Sequence, residues 1–266
     1  MKPILSLFPG ADILGMGFEL EGYCVVRGPD KIWGGDIRNF TPPPDCFEGV
    51  IGGPQCQPFS TRPGTPIRGR DNYEEGVELL REYCRCVFQA QPLWFLMENV
   101  PGVPDVEIEG YTVQRIDVTA NEFGLAQRRL RHIQFGSRDD TSIILHRAFT
   151  RTKAVEPAIL ATDTDRPFAD FLRLQGLPPD YDLPFTVTEK KRAIGNAVPS
   201  PVARAFAQAI TNRVPRGSVN LCACNCGRVV TPPVTPAHAA CRKRIQITPE
   251  QAPGKQSSPF TKVCYP

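Results

Sequence analysis

Apolar and polar residues along this chain fall into short blocks that read alternately as strands and helices, the pattern of an α/β domain. Pro3 to Phe8 predicts a buried strand that ends at Phe8-Pro9-Gly10, followed by a helix through about Glu21. Tyr23 to Arg27 predicts a second strand, with Asp30 just past its end. Gly49-Val50-Ile51 predicts a third, opening into the loop Gly52-Gly53-Pro54-Gln55-Cys56-Gln57-Pro58-Phe59-Ser60. Asn72 to Gln89 is the clearest helix: Asn72 and Glu75 have capping-box spacing, and Val77, Leu80, Cys84 and Val87 share a face. Trp94 to Met97 predicts a buried strand carrying Glu98-Asn99-Val100-Pro101 at its carboxyl end. Thr112 to Val118 and His132 to Phe135 predict strands flanking Phe123 to Arg131, and Ser137 to Asp165 shows no period. Phe168, Phe171 and Leu172 mark a short helix within Arg166 to Leu177. Gly195 to Pro199 is a turn, and Pro201 begins a helix that turns Val202, Ala205, Phe206, Ala209 and Ile210 inward.

The chain has 266 residues, enough for one large domain and an appendage. No stretch approaches the ~18 apolar residues of a membrane span. Pro9, Gly10 and Asp12 interrupt the apolar run Ile4 to Phe18 and no small-residue cleavage site follows, so the expectation is a cytoplasmic protein with no membrane contact. The net charge of +3 is unevenly placed: residues 213–266 carry eight basic side chains against Glu250 alone, which leaves residues 1–212 acidic. A basic tail on an acidic body suits a polyanion partner, although many such tails are only solvated. The ten cysteines read as free thiols with a possible metal site in the tail, not as a disulfide framework.

Candidate chemistry sits where strands end. Cys56 is either a small buried hydrophobe or a nucleophile on a loop. A strand, a glycine turn, a helix, a strand and then Asp30 is an arrangement that holds a nucleoside, and also one that occurs in most α/β domains. Asp36 and Ile37, beside Trp33, offer an acid and apolar surface suited to an adenine. Glu98 is a helix cap, a surface charge or a raised-pKa acid. Alternation puts Arg129 and Arg131 on one face and Arg128 and Leu130 on the other.

Taken in order, these segments resemble the C5-cytosine DNA methyltransferases over roughly residues 4–212, as a small phage- or bacterial-type member. Leu7-Phe8-Pro9-Gly10 is similar to the family's first S-adenosylmethionine loop, Pro54 to Ser60 to its Pro-Cys-Gln loop, and Glu98-Asn99-Val100 to its Glu-Asn-Val segment. Gln127, Arg129 and Arg131 match Gln-x-Arg-x-Arg; Arg173-Leu174-Gln175-Gly176 and Gly195 to Pro199 match the last two blocks. The resemblance implies a Rossmann-like methyltransferase fold and S-adenosyl-L-methionine as cofactor, held by Phe8, Pro9, Gly10, Asp12, Asp30, Asp36, Ile37, Pro54, Asn196 and Ala197. It implies double-stranded DNA as partner and a DNA (cytosine-5)-methyltransferase acting as a monomer. Cys56 would add to C6 of a flipped-out cytosine and Glu98 would take up charge at N3. Arg131 would hold the base O2, while Arg129 would orient Glu98 and the thiolate. The basic stretch Thr61 to Arg70 would be a mobile lid.

The chain departs from the family at Asp12, where a further glycine is usual, and at Gln55, where a proline is usual. The expected division is a cofactor-binding catalytic part (1–136), a short target-recognition region (137–165), a return to the catalytic part (166–212) and a basic, Cys-rich tail (213–266). Cys222, Cys224, Cys226 and Cys241, with His238 competing for a place, suit a zinc knuckle or ribbon. An RNA cytosine-5 methyltransferase and a catalytically silent DNA-binding protein are the alternatives.

Overall fold

The computed structural model describes residues 3–60, 72–147, 155–222, 228–229 and 262–265, the last four by their backbone. Its strands are β1 (Ile4–Leu7), β2 (Val25–Arg27), β3 (Gly49–Gly52), β4 (Trp94–Asn99), β5 (Asp105–Ile108), β6 (Thr112–Thr119), β7 (Gln127–Arg128), β8 (Leu130–Ser137), β9 (Thr141–Ser142), β10 (Glu156–Pro157), β11 (Val214–Pro215) and β12 (Lys262–Tyr265). Its helices are α1 (Ile13–Glu19), α2 (Tyr73–Ala90), α3 (Phe168–Gln175), α4 (Val187–Asn196) and α5 (Ser200–Thr211).

Six strands build the main sheet in the order β2-β1-β3-β4-β8-β6. The first four are parallel; β8 runs antiparallel to both its neighbours. β1, β3 and β4 are buried at every position and so read as unbroken apolar runs, as strands covered on both faces must. The chain leaves β1 through α1 to β2 on one side, and β3 lies on the other. Strand order therefore reverses at β1, and a crevice opens beyond the carboxyl ends of β1 and β3, where open α/β sheets take their ligands.

One face of the sheet is covered by α1 and α5, whose Phe18, Val202, Phe206 and Ile210 pack with Ile4, Trp94 and Ile133. Gly17 lets the two helices meet, because a Cβ there would lie 2.3 Å from that of Ala203. The other face is covered by α2, where Val77, Leu80, Tyr83, Cys84 and Val87 join Leu7, Val50, Phe95 and Met97. A third cluster under α3 and α4 joins Ile13 to Phe171, Leu174 and Ile194. Each large apolar side chain so buried contributes about 1.5–3 kcal/mol.

Two expectations need correction. Asn72 makes no side-chain cap: its backbone (φ −103, ψ 8) is not the extended form an N-cap uses, and Glu75 reaches across to Lys31 Nζ at 3.2 Å instead. Gly195 and Asn196 belong to α4, not to a free turn. That helix is polar along most of its length and lacks an apolar stripe, and its start is set by a capping box of Thr186 with Glu189. Inward on α5 the buried alanines are Ala203, Ala207 and Ala209, with Ala205 half-buried. Within 137–165 the described residues hold only the two-residue strands β9 and β10. The stretch Thr61 to Arg70 lies outside the described residues.

Candidate active site

Cys56 is carried on a turn that is fixed from three sides. Gly52, at the end of β3, sits so close to Leu7 and Tyr83 that a Cβ would come within 2.7 Å of Leu7 O. Gly53 passes Glu98 at a distance where a Cβ would lie 3.1 Å from Oε2. Asn99, fully buried at the end of β4, donates from Nδ2 to Pro54 O at 3.0 Å. Beyond Cys56 a single 3-10 turn, Gln57–Phe59, buries Phe59 edge-on against Tyr73 and sets Pro58 against Gly76 of α2. The Ser60 hydroxyl donates to Cys56 O at 3.2 Å. At the position where a proline is usual, Gln55 Nε2 donates to Gln57 Oε1 at 3.4 Å.

Glu98 is 6% exposed at the end of β4, opposite Ile133 of β8. Arg131 stands two residues before Ile133, the diagonal position from which a long side chain can reach across an antiparallel pair. Its Nε lies 2.7 Å from Glu98 Oε1. Burial pushes the Glu98 carboxyl above its ordinary value, against the pull of Arg131, Arg129 and His132. Burial also raises the Cys56 thiol, and the Glu98 charge raises it further, while Arg131 and Arg129 lower it. Thiol and carboxyl thus share one desolvated pocket in which burial and the neighbouring charges govern the ionisation of both.

Arg129 is 3% exposed on the same face, as the alternation predicts, but its hydrogen bonds go elsewhere. It donates to Ile159 O at 3.1 Å, Gly195 O at 2.8 Å and Ala197 O at 3.0 Å. The bond to Glu98 is therefore made by Arg131, and Arg129 acts on the pocket only through its charge. Arg128 and Leu130 face outward.

The loop after β1 is strained at two places: Phe8 has φ 52 and Asp12 φ 50, with Gly10 at φ 55 between them. Nothing lies within 4 Å of where a Cβ on Gly10 would stand, so the backbone there is open to a ligand. Asp12 caps α1: its Oδ1 accepts from Ser6 Oγ at 2.8 Å and Gly15 N at 3.2 Å, and Arg27 Nε lies 2.7 Å from Oδ2. Burial raises this carboxyl, with Ser6 and Arg27 opposing. Asp30 accepts from Gly10 N and Ile32 N, both at 2.9 Å, tying the β2 loop to the β1 loop. Trp33 does the same from above, donating to Gly10 O at 2.9 Å and resting on the Phe185 ring 4.8 Å away. Asp36 accepts from Arg38 N, which with the Arg38 guanidinium lowers its pKa.

These parts line one continuous cleft of about 590 Å³. Of the residues expected from the sequence, Phe8, Pro9, Gly10, Asp12, Asp30, Asp36, Ile37, Pro54, Asn196 and Ala197 border it together with Cys56 and Glu98; Arg129 and Arg131 stand behind. Sequence reasoning overlooked Phe185, Glu189 and Arg192, which line it from α4 and its approach, and Arg85, which holds a wall; Asn99 and Gln175, which also hold its walls, were matched as members of motifs but given no role. The Thr186–Glu189 capping box was the available signal for α4. Arg85 gave none, since its bonds to Ile37 O and Phe40 O, both 2.9 Å, span more than forty residues.

Of the expected zinc ligands, Cys224, Cys226 and Cys241 lie outside the described residues, as does His238. Cys222 is 3% exposed and its backbone N donates to Arg228 O at 2.8 Å. Among the described residues there is no group of three or more side chains able to hold a metal ion, and no helix long and apolar enough to cross a membrane.

The architecture is that of solved methyltransferases. It matches the Entamoeba histolytica methyltransferase EhMeth (TM-score 0.55, 10% identity, 80% of this chain and 98% of that one) and the S. pombe Dnmt2 methyltransferase (TM-score 0.53, 14% identity, 80% and 99%). Those likenesses define the fold as the Rossmann-like methyltransferase class. The family described as C-5 cytosine-specific DNA methylase matches residues 20–165 and 164–212, and the chain belongs to that family. Similar proteins include Type II methyltransferase M.NgoPII of Neisseria gonorrhoeae, 30% identical over 171 residues, and Type II methyltransferase M.FnuDI of Fusobacterium nucleatum, 32% identical over 172. The matches take in 53% of this chain in both cases, with 49% of the first protein and 48% of the second; the chain spans about half the length of the curated relatives it matches.

Proposed function

We propose that this protein methylates cytosine in double-stranded DNA at C5, with Cys56 as nucleophile. The observation that carries the reading is the pocket itself: a desolvated thiol at the end of β3 beside a buried carboxyl with a raised pKa, opening into a cleft with a bare glycine loop and two carboxylates. The relatives, named as Type II methyltransferases, support it.

The cleft fits S-adenosylmethionine. The open backbone at Gly10 accepts close approach. Asp30 has used one lone pair on each oxygen and keeps others for ribose hydroxyls, and Asp36 offers acceptors beside Ile37 for the adenine. Bound there, the cofactor supplies the methyl group that cytosine C5 acquires. The chain's own residues do the rest. Cytosine C5 is a poor nucleophile, so the Cys56 thiol gives up its proton to solvent and adds as thiolate to C6, forming an S–C6 bond that shifts the ring electrons toward C5 and N3. Glu98, its pKa raised by burial, shares a proton with N3 and takes up that charge, and Arg131 keeps the carboxyl aimed. After methylation the C5 proton leaves to a base, the S–C6 electron pair returns to sulfur and Cys56 departs. The target base cannot reach Cys56 inside a duplex, so it is extruded into the pocket.

Residues 137–165 serve as the target-recognition region and 213–266 as a basic tail. With so few residues to read base edges, at about 1–3 kcal/mol for each good contact, the recognised site is short or relaxed. The test is a duplex containing 5-fluorocytosine, mixed with protein and cofactor. A covalent adduct with the wild-type chain and none with Cys56→Ala supports the reading; no adduct with either ends it. Methyl transfer to RNA but not to DNA would move the assignment to an RNA substrate.

A further inference from the structure

One wall of the cleft, the end of α4 from Ile194 to Val198, is gripped from behind by buried polar side chains that do not reach the cleft. Gln175, the last residue of α3, is fully buried. Its Nε2 donates to Ile194 O at 2.6 Å and to Ala197 O at 3.0 Å, and its Oε1 accepts from Gln127 Nε2 at 3.1 Å. Gln127, also fully buried, donates to Leu174 O as well. Arg129 completes the grip with its bonds to Gly195 O and Ala197 O. Gly195 O and Ala197 O are carbonyls that a helix end leaves without intrahelical partners, so in a buried position something must satisfy them, and Ile194 O otherwise has only the cap N–H of Ala197 at 3.2 Å. The front of the same segment, Asn196, Ala197 and Val198, borders the cleft.

The arrangement goes beyond what packing requires. Gln127 Oε1 and Arg129 Nε are buried without hydrogen-bond partners, a penalty that an apolar filling would avoid. The polarity of the Gln175 amide is also determined: turned over, it would set its oxygen against two carbonyl oxygens and its NH2 against the NH2 of Gln127. A carboxylate in its place would repel both carbonyls. What the polar set does provide is a single allowed position for the Ile194–Ala197 backbone. That position is tightened further at Gly195, where a Cβ would lie 2.9 Å from Ala161.

We propose that Gln175 is a positioning residue for the cofactor: relayed by Gln127 and seconded by Arg129, it holds the Ile194–Ala197 segment in the one geometry that binds S-adenosylmethionine. It touches neither cofactor nor reacting atoms. The proposal rests on the cofactor reading above.

The test is calorimetric titration of S-adenosylhomocysteine, the demethylated product, into the full chain. Gln175→Leu binds about tenfold more weakly than wild type, Gln175→Glu more weakly still, and Gln127→Met shows a smaller loss in the same direction because it frees the amide to rotate. At saturating cofactor, kcat stays within about twofold of wild type for Gln175→Leu, so the loss falls on KM. A change confined to melting temperature, with affinity intact in the folded protein, overturns the proposal and leaves the cofactor reading standing. Wild-type protein that fails to bind S-adenosylhomocysteine overturns both. Should Gln175→Leu not fold, Gln127→Met carries the test: unchanged affinity in that variant rejects the relay.

Discussion

The Cys56 thiol is placed in an environment that works against its ionisation. Burial and the Glu98 charge both raise the Cys56 pKa, so at neutral pH the resting thiol is protonated. Its alkylation by iodoacetamide therefore accelerates only as pH rises past the ordinary thiol range. Glu98→Gln removes a charge that disfavours thiolate and shifts the profile to lower pH; Arg131→Met removes one that favours it and shifts the profile up. Superimposable profiles for the three proteins would refute the electrostatic account. Asp12 illustrates a departure that the structure explains. A carboxylate replaces the usual glycine by capping α1 while tolerating φ 50. Asp12→Ala loses the cap and places an ordinary side chain in the left-handed region, and is expected to cost about 2 kcal/mol; Asp12→Gly loses only a few tenths for the cap. Denaturant midpoints distinguish the two. That a carboxylate could stand at this position was legible in the sequence, but its partners Ser6 and Arg27 were not, because they arrive from two different strands.

Among the elements, neighbouring strands of the main sheet make room for large rings with glycines whose need is not visible in hydropathy. A Cβ on Gly136 would lie 2.1 Å from the Phe95 ring, and one on Gly49 2.2 Å from Trp94. Gly136→Ala is accordingly expected to destabilise the protein by about 1–3 kcal/mol through overpacking, read as a lower denaturation midpoint with an unchanged slope. α2 joins the two halves of the site. Its first turn packs on Pro58 and Phe59 behind Cys56, Glu75 and Glu78 hold Lys31 and Arg38, and Arg85 holds the carbonyls of Ile37 and Phe40. Its apolar period announced the helix and its buried face. Nothing in that period announced its polar side as the support of the loop from Asp36 to Phe40, since those partners lie far away along the chain.

At the scale of the whole molecule, the reversal of strand order at β1 brings loops from residues 8–12, 30–37, 53–57 and 194–198 to one rim. The charge of the chain is distributed differently: residues 230–266 contain five basic residues and one acid. If those charges meet phosphate, removing residues 230–266 flattens the slope of log K against log salt for duplex DNA by up to about four units, at roughly 0.9 per phosphate contact. An unchanged slope would show the tail's charge to be merely solvated. The alternation that set Arg129 and Arg131 on one face was readable from the chain. Which of them pairs with Glu98 was decided by register, because Glu98 faces Ile133 and only Arg131 then stands on the near diagonal.

The order of apolar blocks, the turn residues and the spacing of Cys56, Glu98 and the arginine pair along the chain settled the kind of fold and nominated the residues that the structure brings to one cleft. These are local properties of neighbouring residues, and local preference is what a linear pattern records. Tertiary structure decided which groups are desolvated, which guanidinium meets the carboxyl, and which buried amides hold the end of α4. Those outcomes depend on distances between segments that only the closed sheet brings together.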